Sequence, residues 1–160
     1  MPIRIVQGDL LNQDVDAIVN PWNRNFIPWW LLLPQGVSGQ IKKSAGKVPF
    51  RELAKTGLMK TGQAVETSAG NLPFKWIVHV AALEWYWIAT ERSTRQSAIN
   101  AVELAKRLSI QSLAFPLIGA GTGGIKQNRS LELISEVCDH NAPDLDVTIV
   151  QYQKTAGENI

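Results

Sequence analysis

Cysteine is almost missing: Cys138 is the sole thiol in 160 residues, so no internal disulfide can form and a disulfide-stapled scaffold is excluded. Runs of like charge are missing too. Sixteen Lys and Arg face fourteen Asp and Glu, for a net charge of +2 with no basic block, and charge gives no reason to expect direct nucleic-acid binding. The longest apolar run, residues 26–34 (FIPWWLLLP), contains two prolines and falls far short of the ~20 residues needed to cross a bilayer. No membrane partner is expected. Both histidines, His79 and His140, lack companions at metal-ligand spacing, so no metal is expected. The opening MPIRIVQGDL has none of the features of a signal peptide, which makes the cytoplasm the expected location.

What is present is enough apolar material for a core: 45% of residues are hydrophobic and only 19% charged, a composition that excludes disorder. One domain over 1–155 with a mobile tail at 156–160 is expected from the length. Residues 3–6 and 16–19 are short β-branched runs ended by polar residues, as buried strands are. From Gly36, Val37, Ile41 and Ala45 recur every four residues, which predicts a helix opening there. A short helix follows, with Pro49 in its first turn and Gly57 as its stop. Strands are expected at 63–68 and 75–81, then a helix over 91–108 burying Ile99, Val102, Ala105 and Leu108. A strand at 111–115, a glycine-rich turn, a helix near 127–139 and a strand at 146–152 complete the chain. This alternation argues for an α/β layered sheet with helices on both faces.

The turn from Pro116 to Ile125 (PLIGAGTGGI) joins a strand to a helix, so its N–H groups can face an anion. A ligand-free tight turn is the alternative. Gly119, Gly121 and Gly124 match the spacing of the dinucleotide fingerprint, but only one strand follows, where that motif should open a fold. No Gly-Lys-Ser/Thr of a Walker loop is present, and no cofactor is expected. Earlier strand ends carry Gly8-Asp9-Leu10 and Asn20-Pro21-Trp22-Asn23, and Gly36-Val37-Ser38-Gly39 opens the next helix. Loops at the carboxyl ends of strands can converge on one ligand. Two glycine-rich helix openings suit the two phosphates of a diphosphate.

With GDLLNQDVDAIVNPWN, GVSGQIKKSAG, GQAVETSAGNLPFKWIVHV and LAFPLIGAGTGG in that order, the chain resembles the macrodomain family over about Ile3 to Tyr152. Members bind ADP-ribose and often hydrolyse ADP-ribosyl bonds, so the resemblance implies ADP-ribose or an ADP-ribosylated substrate as partner. It also implies a three-layer α/β/α sandwich with a mixed central sheet. On this resemblance Asp9 accepts the adenine amine and Leu10 adds a backbone contact. Gly36, Val37, Ser38 and Gly39 form the first phosphate loop; Gly119, Ala120, Gly121, Thr122 and Gly123 form the second. Tyr152 presents its ring to adenine, Asn23 holds the distal ribose, and Asn20 braces the loop through backbone hydrogen bonds. Read from the residues alone, Asp9 is a turn aspartate capping amides and Tyr152 a core or edge tyrosine. His79 reads as a satisfied core histidine, Cys138 as an inert thiol, and Lys42 and Lys43 as solvated.

Departures from the pattern shape the functional expectation. The residues between Asn23 and Gly36 form a long apolar insertion, and Trp29 and Trp30 within it are candidates either for a lid over the distal-ribose end or for core packing. Ser38 stands where many hydrolytic members place a water-positioning aspartate, and a serine hydroxyl is a much poorer base. Gly123 stands where many members have an aromatic residue. The leading expectation is an ADP-ribosyl hydrolase with Asn23 as the catalytic candidate and Ser38 as a weaker one. The alternatives are a non-catalytic reader of ADP-ribose or a related nucleotide signal, and a protein-interaction module using the FIPWWLLLP patch.

Overall fold

Alternation of buried side chains along the strands decides the layering. A computed structural model of the chain describes residues 3–25, 27–31, 36–84 and 88–152. In it, β1 (Arg4–Gly8), β2 (Ala17–Trp22), β3 (Ala64–Thr67), β4 (Trp76–Ala81), β5 (Ser112–Pro116) and β6 (Asp146–Tyr152) form one sheet in the order β1-β6-β5-β2-β4-β3. Every neighbouring pair is parallel except β3 and β4. The sheet is therefore mixed, with its one antiparallel strand at an edge.

Ala17, Val19, Val78, Val80, Leu113 and Ile149 face one way, where they pack against α3 (Glu91–Arg107) and α4 (Gln127–Asn141). Ile18, Ile77, Ala114 and Val150 face the other way, onto α1 (Gly36–Ala45) and α2 (Val48–Ala54). A period of two along each strand thus fills two separate cores, which is the signature of a sheet covered on both faces. Trp22 and Phe50 anchor the α1/α2 side, fully buried with ring centroids 5.2 Å apart.

Most boundaries fall within a residue or two of those expected. Two differences have physical causes. The short helix α2 stops at Ala54, and the chain then runs through tight turns to Gly57, whose φ of 74° takes the left-handed conformation. On α3, Val102 and Ala105 are fully buried as expected, whereas Ile99 and Leu108 are half-buried at the border of the core; Ser93, Thr94, Ser97, Ala98 and Ala101 extend the buried face. Small residues let this helix lie close to β4, so the N-terminal half of its buried face carries little hydropathy. Thr90 and Ser93 close its N-terminus as a reciprocal capping pair, each bond 2.9 Å. Residues 85–87, which hold Trp85 and Trp87, and the expected tail at 156–160 lie outside the described residues.

Candidate functional site

Four parallel strands, β1, β6, β5 and β2, release their chains at the same edge of the sheet, and the candidate residues are carried there. Asp9 follows β1 and caps a 3-10 turn over Leu10–Asn12, its Oδ1 accepting from Leu11 N at 2.9 Å. The capping expected from the residues alone is present, and Oδ2 is left without a hydrogen-bond partner among the described residues. Leu10 is buried beneath it. Tyr152 ends β6, 43% exposed, and its hydroxyl accepts from Gln40 Nε2 of α1 at 3.3 Å. Asp9, Leu10, Val37, Gln40, Pro116 and Tyr152 together line a slot of about 10 Å³.

The glycine turn after β5 is shaped by conformations that L side chains rarely adopt. Gly119, Gly121 and Gly124 have φ of 80°, 77° and 84°. Gly119 is also hemmed in, because a Cβ there would stand 2.7 Å from Thr94 Oγ1 and 3.0 Å from Ala89 Cβ. At Gly123 a Cβ would meet Ala89 Cβ at 2.9 Å. No side chain fits at 123 without moving that wall, so glycine here follows from packing. Gly121–Gly123 form a 3-10 turn, whose opening amides have no carbonyl of the turn to bond to. They are available to an anion. Ala120 precedes the turn and bridges to Ile125; the Thr122 side chain lies outside the described residues.

Asn23 follows β2 and is 2% exposed. Its Oδ1 accepts from Asn25 N at 2.6 Å, while Nδ2, a donor, has no partner among the described residues. Asn25 is in the left-handed conformation, φ 63°. Its side chain accepts from Trp22 Nε1 at 3.0 Å and donates to Leu53 O at 3.0 Å and Gly57 O at 3.1 Å. Arg24 completes the clamp: Nε donates to Met59 O and its carbonyl accepts from Met59 N, both 2.8 Å. Nothing in the sequence pattern singled out Asn25. A lone polar residue in a loop has no periodicity, although asparagine tolerates this backbone conformation better than most residues.

Asn20 takes a different part from the loop brace expected of it. Its Nδ2 reaches His79 Nδ1 at 2.9 Å, and His79 Nε2 reaches Thr67 Oγ1 at 2.8 Å. Thr67 Oγ1 donates to Ser68 O at 2.9 Å, so it accepts from His79, which fixes the imidazole proton on Nε2. Ser68 in turn donates its hydroxyl and its N–H to the Glu52 carboxylate, at 2.7 and 2.8 Å. A chain of hydrogen bonds thus crosses from β2 through β4 and β3 to α2. Complete burial pushes the His79 pKa down to about 3, so the ring is neutral and structural. Cys138 is buried and its thiol pushed up to about 12, chiefly by desolvation. Neither is poised for chemistry.

Gly36, with φ 62°, opens α1, followed by Val37, Ser38 and Gly39 in the first turn. Ser38 is buried and its Oγ has no hydrogen-bond partner among the described residues. Lys42, one turn on, differs from expectation: it is half-buried, its Nζ donates to Trp29 O, and it lies 5.7 Å from the Trp29 ring centroid. Lys43 is exposed. Of the insertion, Trp29 packs partly against the α1/α2 core, whereas Trp30 is 68% exposed and does not enter it. Phe26 and residues 32–34 lie outside the described residues. Among the described residues, no helix is long and apolar enough to cross a membrane and no group of three or more His, Cys, Asp or Glu could hold a metal.

Comparison with known proteins agrees with this architecture. The family model described as Macro domain matches residues 19–134. A macro domain-containing protein of Caldanaerobacter subterraneus is 33% identical over 141 residues, covering 84% of this chain and 78% of that protein. A solved mutant macrodomain of Oceanobacillus iheyensis with ADPR is 25% identical at a TM-score of 0.75, covering 92% of this chain and 83% of that one. A Trypanosoma brucei macrodomain in complex with ADP-ribose shares the fold at a TM-score of 0.75 and 22% identity, over 95% of this chain and 64% of that one.

Proposed function

The chain belongs to the macro domain family, and from that premise we propose that it binds ADP-ribose along this sheet edge and hydrolyses ADP-ribosyl bonds. The observation that carries the reading is that Asp9, Tyr152, the Gly119–Gly123 turn and Asn23 follow or end the adjacent parallel strands β1, β6, β5 and β2 at one edge of the sheet, with Val37 and Gln40 of α1 lining the slot beside Asp9 and Tyr152. Asp9 Oδ2 is the acceptor for the adenine amine, and Tyr152 lies beside it. The slot between them has room for about one water, so it must widen to admit a purine. The free amides of the glycine turn and of the first turn of α1 take the diphosphate. Asn23 Nδ2 donates to a distal-ribose hydroxyl.

In the reaction, a water adds to the anomeric carbon of the distal ribose, the bond to the modified group breaks, and the water's proton passes to the leaving group. Ser38 is too weak a base to activate that water. Catalysis therefore rests on orientation by Asn23 and on preorganised donors facing developing charge. The same lack of a base favours a second reading, a module that holds ADP-ribose without cleaving it. Asn23→Ala separates the two. The hydrolase loses turnover of an ADP-ribosylated substrate by more than it loses affinity for free ADP-ribose, with Ser38→Ala milder on both counts. Wild-type protein that binds ADP-ribose and releases none from ester-, glycosidic- or base-linked conjugates is a reader.

A further inference from the structure

A second concavity, of about 840 Å³, lies between β3 and the outer stripe of α3 and plays no part in the proposed nucleotide site. One wall is Gln63, Ala64, Val65 and Glu66; the other is Arg92, Gln96, Asn100 and Arg107. β3 ends the sheet, so one side of it is unpaired. Gln63 O accepts from Ala81 N, and Val65 stands opposite His79. In an antiparallel ladder the N–H and C=O groups point alternately to the partner and away from it. Those of Ala64 and Glu66 therefore point away from β4 to the open edge beside the groove, where no described residue bonds to them.

A free strand edge beside a helix is the arrangement that captures an extended polypeptide by strand addition. From Arg92 to Arg107, α3 runs about 22 Å, the length of roughly six to seven extended residues. Lys60, Arg92 and Arg107 have no acidic partner among the described residues, and Glu66 and Glu84 have no basic one. Such mixed charge suits a polypeptide better than a uniform polyanion, which the acids would repel.

The groove also adjoins the nucleotide site. Ser93 lines it and donates to Ala82 O at 2.9 Å, while the next residue, Thr94, stands against Gly119. Ala82 N and Leu83 N reach Trp22 O, beside Asn23, and Leu83 Cδ2 stands 3.4 Å from the position of a Cβ at Gly123. Glu84 then enters the groove. We infer that the groove between β3 and α3 seats an extended segment of the ADP-ribosylated protein, added as a strand to β3, so that the substrate class is modified polypeptide. The inference rests on the ADP-ribose reading of the neighbouring cleft.

The test compares three probes on wild type, Glu66→Pro and Gln96→Trp: free ADP-ribose, a ten-residue labelled peptide carrying ADP-ribose on a central serine, and a ten-nucleotide single strand carrying ADP-ribose. Proline at 66 removes an outward N–H without breaking the ladder; tryptophan at 96 fills the groove and leaves the backbone intact. The expected result is about tenfold tighter binding of the peptide conjugate than of free ADP-ribose, as for two linked contacts. Both variants abolish that gain and keep wild-type affinity for free ADP-ribose. Equal affinity of wild type for the peptide conjugate and free ADP-ribose overturns the groove alone. So does a gain that survives both substitutions, or one shown only by the nucleotide conjugate. Folded wild-type protein that ignores free ADP-ribose removes the nucleotide reading, and this inference with it.

Discussion

Asn25 donates its backbone N–H to Asn23 Oδ1 at 2.6 Å, and the bond is set by a side chain tied to three other groups: Trp22 Nε1, Leu53 O and Gly57 O. The orientation of Asn23 is therefore decided by residues about thirty positions further along the chain. Asn25→Gly keeps the left-handed backbone and removes the anchor; Asn25→Ala removes the anchor and strains the backbone. Each leaves the Trp22 indole unpaired, and a loss of about 1–3 kcal/mol in denaturant melts is expected. ADP-ribose affinity falls in both. Calorimetry on Asn25→Gly that matches wild type would show that Asn23 is held without this clamp.

The two carboxylate oxygens of Asp9 are separable, because Oδ1 caps the turn and Oδ2 has no hydrogen-bond partner among the described residues. Asp9→Asn preserves the cap and replaces the free acceptor with a donor. Stability is then expected to stay close to wild type while ADP-ribose binding weakens about tenfold, corresponding to a charged hydrogen bond of ~1.5 kcal/mol. Asp9→Ala loses both. An Asp9→Asn protein binding as tightly as wild type would leave the residue a turn cap only.

His79 makes folding sensitive to acid. Its pKa is about 3 in the folded protein against 6.5 for the free side chain, so between those values the unfolded chain binds more protons than the native one. Stability contributed by the neutral, buried ring is complete above pH 6.5 and is lost as the pH falls toward 3. The slope approaches ~1.4 kcal/mol per pH unit for a single group. Denaturant melts between pH 5 and 6.5, above most carboxylate titration, isolate the effect. His79→Gln is expected to be less stable at pH 7.5 and flatter across that window. An unchanged slope would mean that the ring gains solvent or a proton without unfolding.

Much of the sheet was legible because β-branched runs such as Ile18-Val19 and Ile77-Val78 have few conformational alternatives, and Asp9, Asn23 and the glycine turn sit where those runs end. On α3 the hydropathy pattern finds Val102 and Ala105 but misses the buried Ser93, Thr94, Ser97 and Ala98, because close approach to β4 selects small residues that hydropathy does not mark. Asn25 and the β3–α3 groove were invisible for a common reason. Each is made by contacts between distant segments, Asn25 with Leu53 and Gly57, Asn100 with Gly62, and such contacts leave no local pattern. Lys42 was misread as solvated because its neighbour, Trp29, belongs to the insertion rather than to the helix.

The insertion between Asn23 and Gly36 supplies the last test. Trp29 is tied to α1 through Lys42, one turn after the Gly36–Gly39 loop, and Trp30 follows it into solvent, 68% exposed. Trp30 adds nothing to the described core, and its position between Asn23, assigned to the distal ribose, and Gly36, assigned to the diphosphate, suits a lid that excludes water when ligand is bound. Trp30→Ala is expected to change stability by no more than about 0.5 kcal/mol, as surface substitutions do, while weakening ADP-ribose binding and reducing the change in tryptophan fluorescence on binding. Trp29→Ala also removes apolar packing and the cation–π contact with Lys42, so it costs about 1–3 kcal/mol of stability. Lys42→Met removes the charge and keeps much of the stem, which distinguishes the tether from packing: under the lid account it loosens Trp29 and lowers affinity with a smaller loss of stability. If Trp29→Ala and Trp30→Ala both leave affinity and the fluorescence response as in wild type, the insertion does not close over the nucleotide, whatever happens to the melting temperature.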